Sequence, residues 1–160
     1  MPRLTLDPLT ADAFAPFGDV IECPAEPGRD YFSDALATSR AHAAPSLSVT
    51  LRAPSTLPLR LEMMERHEHS SQTFLPLDVS RYIVVVAPKD DQGGPDMSQA
   101  RGFVAGGNQG VTFAADTWHA PNAVLDRPGR MAVFMWLADD GQDEEFRTLD
   151  TAIDLHLGTE

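Results

Sequence analysis

Three of the chain's five histidines fall in two short segments, each beside residues that read as strand, Glu65-Arg66-His67-Glu68-His69-Ser70-Ser71-Gln72 and Thr117-Trp118-His119-Ala120-Pro121-Asn122. Imidazole titrates near neutral pH and is the commonest metal ligand, so these segments suit either proton transfer or metal binding. Side chains alternate along a strand, so Glu65, His67 and His69 are expected to share one face, with a later strand bringing His119 to it. A carboxylate such as Glu65 in a low-dielectric interior has a raised pKa or a cationic partner, and either state serves acid–base work. Arg66 falls on the opposite face by parity and is expected to meet solvent. Trp118 is expected to wall the same pocket with its large apolar ring. Pro121 lacks a ladder N–H and puts its segment at a strand edge or barrel mouth. If a divalent metal is bound, His67, His69, Gln72 and His119 are the expected ligands. Arg101, opening Arg101-Gly102-Phe103-Val104, is a candidate anion anchor. Asp139-Asp140 with Asp143-Glu144-Glu145 reads as a solvated acidic turn.

Strands must carry these residues, and the chain supplies many. Leu47 to Leu51 alternates apolar and polar residues, the pattern of a half-buried strand. Further strands are expected at Leu59–Arg66, Thr73–Leu77, Arg81–Ala87, Arg101–Ala105, Gly110–Ala114, Asn122–Leu125 and Arg130–Ala138. Turn formers separate them, among them Pro54, Pro88, Gly93-Gly94, Gly106-Gly107 and Pro128-Gly129. Leu9 to Gly18 reads as a short helix with Thr10 as N-cap, stopped by Pro16 and Gly18. Asp19–Glu22 reads as a strand. From Cys23 to Pro45 a long loop is expected, with a strand at Tyr31-Phe32, and a final helix over Asp143–Leu149, where two glutamates would favour the N-terminal dipole. Short strands at regular spacing without a long helix make the chain all-β, a sandwich or barrel with a few short helices.

With 160 residues the chain is expected to form a single domain over 1–160. Twelve basic residues against 24 acidic ones give a net charge of -12, which argues against nucleic acid or an anionic membrane as partner. Lys89 is the sole lysine and lies in a turn-like segment, so Schiff-base chemistry, which needs a dry lysine, is not expected. Cys23 is the sole cysteine, and no signal-peptide pattern or membrane-length apolar run occurs, so a cytoplasmic setting is expected.

Taken in order, "LTADAFAPFGDVIE" from Leu9, "MMERHEHSSQTFLPL" from Met63, "YIVVVAP" from Tyr82, "GNQGVTFAADTWHAP" from Gly107 and "RMAVFMWL" from Arg130 resemble the ureidoglycolate lyase family. The resemblance implies a cupin-like double-stranded β-helix, a jelly-roll barrel, assembled as a homodimer. It implies cleavage of (S)-ureidoglycolate to glyoxylate and urea in allantoin and purine catabolism. Glu65, His67, Gln72, Trp118 and His119 match motif positions, which points to Glu65, His67, Gln72 and His119 for catalysis and Trp118, with Arg101, for substrate binding. The cupin pattern, in which His and Gln face a central metal or substrate, leaves the cofactor open between none and a divalent metal (Ni, Mn or Zn), with nothing organic expected. The chain departs from the family at Ala120, at Trp136 to Asp140 and around Phe32 to Ala35. A metal-dependent cupin acting on another small hydroxy acid, and a non-catalytic cupin binding a small acid, are the alternatives the residues leave open.

Overall fold

The computed structural model describes residues 1–158. Twelve strands make two sheets. The first contains β1 (Arg3–Pro8), β4 (Leu59–His67), β6 (Arg81–Ala87), β7 (Arg101–Gly106), β9 (Trp118–His119), β10 (Ala123–Leu125) and β12 (Glu144–Leu157). Because β9 bonds both β4 and β6, this sheet closes on itself. The second runs β2 (Gly18–Glu22), β8 (Gln109–Phe113), β5 (Gln72–Pro76), β11 (Gly129–Leu137) and β3 (Ala44–Arg52). The all-β expectation holds. The described helices are α1 (Ala11–Phe14) and a 3-10 turn at Met97–Gln99.

Two cores follow from the alternation of side chains. One face of β6 sends Tyr82, Val84 and Val86 into the space between the sheets, against Phe74, Val111, Phe113 and Met131. The other sends Ile83, Val85 and Ala87 into the closed sheet, with Leu6, Met64, Trp118 and Leu155. Helix α1 plugs the first core. Thr10 caps it, accepting from the Ala13 N–H at 3.3 Å, and Phe14, fully buried, meets Phe17, Phe103 and Phe113 at ring separations of 5.9–6.2 Å. Gly18 then lets the chain turn into β2, since a Cβ there would lie 1.8 Å from the Thr112 carbonyl oxygen. Phe14→Ala is expected to cost about 3–5 kcal/mol of stability in chemical denaturation, through the cavity it leaves.

Three expectations fail. Asp143–Leu149 is not a helix: β12 begins at Glu144, and Glu144 to Thr148 pair with His67 to Met63 of β4. The alternation of Ile153, Leu155 and Leu157 continues that strand, and cross-strand pairing outweighs whatever helix dipole the two glutamates would favour. Tyr31-Phe32 is not a strand but part of an irregular stretch, and Tyr31 is exposed. In β3 the apolar residues face outward, Leu47, Val49 and Leu51 being 60–73% exposed, while Ser46, Ser48 and Thr50 share the inner face with Met135, Val133 and Met131. Strand β1 is an element the sequence pattern does not announce.

Candidate active site

Strand β4 ends at His67; its alternation slips between Leu61 and Met64, which enter the same core opposite the register shift of β12, and runs regularly from Met64 to the end. Glu65 and His67 lie on the face toward the second sheet, and β9 sets His119 directly opposite Glu65. Gln72, the first residue of β5, reaches across from the second sheet, so the site is built where the two sheets face each other. One atom each from Glu65, His67 and His119 lie within 4.8 Å of one another.

His119 is held on three sides. Its Nδ1 donates to the Thr117 carbonyl at 2.9 Å, which leaves Nε2 facing the interior. Nε2 lies 3.1 Å from Gln72 Oε1 and 3.5 Å from Glu65 Oε1. The Phe113 ring stacks on the imidazole at 4.1 Å and 9°, so α1, through Phe14 and Phe113, indirectly supports the histidine. His67 lies on the other side, its ring 6.1 Å from that of His119. Both His67 ring nitrogens are buried without a hydrogen-bond partner.

Burial alone would raise the Glu65 pKa, but the hydrogen bond and charge of His119, then His67 and Arg52, outweigh it and hold the carboxyl below its usual value. For His67, burial first and His119 second push the pKa down, against the pull of Glu65 and Asp143. The site therefore combines an ionised carboxylate with an imidazole kept neutral near pH 7.

The other expected residues lie elsewhere. His69 follows the end of β4, where the alternation stops; it is about a third exposed, near Ser39 Oγ at 3.3 Å and Glu68 at 3.9 Å. Trp118, next to His119, points to the opposite face by the same alternation. It is buried in the closed sheet, with its Nε1 donating to Gly93 O at 3.0 Å. Arg101 donates to Ala13 O at 2.9 Å and lines a separate depression with Pro16 and Lys89. Arg66 does face away, as parity requires, but it is not simply solvated: it stacks on Trp118 at 4.9 Å and pairs with Asp116 and Glu145, each at 2.6 Å.

Two residues reach the site unannounced. Asp143 is 8% exposed, not part of a solvated turn, and its Oδ2 lies 3.7 Å from His67 Nδ1 and 3.9 Å from Arg40 Nη2. Arg40, in the long loop before β3, pairs with Asp140 at 2.7 Å. Together with His67, Met135 and Trp136 they line a depression of about 240 Å³ at the mouth of the site. A half-buried arginine in a stretch of small residues leaves no periodic signal to find it by.

The ureidoglycolate lyase family profile matches residues 1–156. A ureidoglycolate lyase of Pseudomonas syringae pv. tomato is 38% identical over 139 residues, 79% of each chain. One of Azotobacter vinelandii is 36% identical over 166 residues, covering 96% of this chain and 97% of its own. Among solved structures, a dTDP sugar isomerase from Desulfovibrio desulfuricans G20 superposes with a TM-score of 0.52 at 15% identity, over 84% of each chain. That likeness concerns the fold alone and makes it a cupin-like β-barrel with a second sheet. No described helix is long and apolar enough to cross a membrane. With the profile spanning nearly its whole length and relatives of this similarity, the chain belongs to the ureidoglycolate lyase family.

Proposed function

We propose that this chain is a lyase cleaving (S)-ureidoglycolate to glyoxylate and urea, with residues 1–160 acting as one catalytic unit in allantoin breakdown in the cytoplasm. The observation that carries the reading is the convergence of Glu65, His67 and His119 beside Gln72, in a chain whose relatives are named for that reaction. The substrate carbon bears a hydroxyl, a ureido nitrogen and a carboxylate. Cleavage removes the hydroxyl proton, forms the aldehyde carbonyl and breaks the C–N bond, and the departing nitrogen takes up a proton to leave as urea. His67, kept neutral by its surroundings, takes the hydroxyl proton. The His119–Glu65 pair holds a proton at Nε2, 3.5 Å from the carboxylate, and gives it to the nitrogen. Each positioned transfer is worth roughly 10²–10⁴-fold in rate. Gln72, bonded to Nε2, steadies the ring.

The same donors fit a divalent cation such as Ni, Mn or Zn: two imidazoles and one carboxylate, with His67 nitrogens that have no other partner. Glu65, His67 and His119 would hold it, with Gln72 beside them, and when bound it would supply Lewis-acid polarisation of substrate oxygens. Incubation with racemic ureidoglycolate tests the reading. Glyoxylate and urea are expected in equal amounts, stopping at about half of the racemate if one enantiomer is taken. Release no faster than the spontaneous rate would end it.

A homodimer through β3 belongs to the same reading. This nine-residue strand is an edge of the second sheet and carries Leu47, Val49 and Leu51 outward, all more than half exposed. An unpaired edge with an apolar stripe favours pairing with another chain. Val49→Asp is expected to give a monomer by light scattering, while the native sequence elutes as a dimer.

A further inference from the structure

Among the described residues, seven buried side-chain nitrogen or oxygen atoms have no hydrogen-bond partner, and five of them are Arg40 Nε, both His67 ring nitrogens, Trp136 Nε1 and Asp143 Oδ2. All five belong to residues lining the 240 Å³ depression over His67. Leaving such a group unpaired is unfavourable, so their concentration in one concavity marks a place built for a polar ligand group. The set offers N–H donors from Arg40 and Trp136 and a carboxylate acceptor from Asp143. Its rim carries Asp139, Asp140 and Glu144, against Arg40 as the one cationic side chain there. Burial, then Glu65 and Asp143, push the Glu144 pKa up, as expected for acids crowded together. Such a place disfavours a carboxylate and favours an uncharged group rich in both donors and acceptors.

We propose that Arg40 and Asp143 form the subsite for the ureido end of the substrate: Arg40 Nε–H donates to its carbonyl oxygen, and Asp143 Oδ2 accepts from its terminal amine. The choice of ligand rests on the lyase reading. The assignment sets the substrate's direction, with the ureido group at the mouth and the reacting carbon toward His67 and His119. It also gives a role to the loop before β3, which Ser39 N pins to His69 O at 2.9 Å and Arg40 pins to Asp140.

The test is equilibrium binding of two unreactive analogues, N-carbamoylglycine and N-acetylglycine, which differ by a terminal amine in place of a methyl. The wild-type protein is expected to bind N-carbamoylglycine tighter by about tenfold or more. Asp143→Asn, which keeps an oxygen for the His69 N–H that Oδ1 accepts at 2.6 Å, is expected to reduce that ratio toward one, whereas Arg40→Lys, which removes the donor to a carbonyl both analogues carry, is expected to weaken both about equally. A role confined to holding the loop would not distinguish amine from methyl. The Arg40 Nε–H resonance of the wild-type protein is also expected to shift with N-carbamoylglycine, a readout that needs no variant to fold. Equal affinities in the wild type, a preference that survives Asp143→Asn, undiminished binding of both analogues in Arg40→Lys, or an unmoved resonance overturns the assignment. Because these are binding measurements, an amine preference without turnover would sink the lyase reading and leave the subsite standing, and turnover without the preference would do the reverse.

Discussion

His119→Ala is expected to lower glyoxylate release by about 10²–10⁴-fold while leaving the fold intact. The imidazole is 1% exposed, and its Nε2 faces both Glu65 and Gln72, so no water or neighbouring side chain reproduces its position. Alanine also leaves a gap against the Phe113 ring, so a melting temperature should accompany the rate to separate lost chemistry from lost stability. His67→Ala should fall in the same range, since its two nitrogens are the ones in the site with no other partner. His69→Ala is the control: this side chain stands outside the cluster, and its rate should stay within about threefold. Near-native rates for both His67→Ala and His119→Ala would remove the catalytic assignment altogether.

The second large effect concerns metal. Protein dialysed against a chelator and titrated with Ni, Mn or Zn is expected to take up one ion per chain, and Glu65→Gln or His119→Ala should weaken that affinity by about 100-fold or more. Loss of a primary ligand exceeds the 10–100-fold typical of removing a supporting residue. A lone pair that holds an ion cannot also take a proton, so comparing rates before and after chelation decides which use of the three side chains supports turnover. Ion uptake unchanged by both substitutions would exclude the trio as the metal site.

The sequence made nine of the twelve described strands and the central pair of histidine segments legible, because period-two alternation is a local property. Arg81–Ala87 appears as written in the sequence, and Glu65, His67 and His119 meet because alternation holds over the last four residues of β4 and β9 pairs in register with them. Where parity was carried too far it misled. It placed His69 on the face of a strand that had already stopped at His67. Trp118 alternates with His119, and that sends its ring into the other core instead of the pocket. Inside and outside of β3 came out reversed, since alternation fixes two faces but not which one is buried. Arg40 and Asp143 are brought to the site by long-range packing of the loop before β3 and the turn before β12, and no local pattern encodes that.

Strand β1 lies parallel between β12 and β7, with Arg3 to Leu6 aligned to Asp154 to Leu157. The earliest of the described strands therefore waits for the latest of them before its ring can shut. Until then Leu4 and Leu6 have an incomplete interior to enter, and both edges of the gap offer free amides. A nascent or truncated chain lacking the final dozen residues should thus be a ready client for chaperones and prone to clumping, even though every group that does the chemistry has already been synthesised.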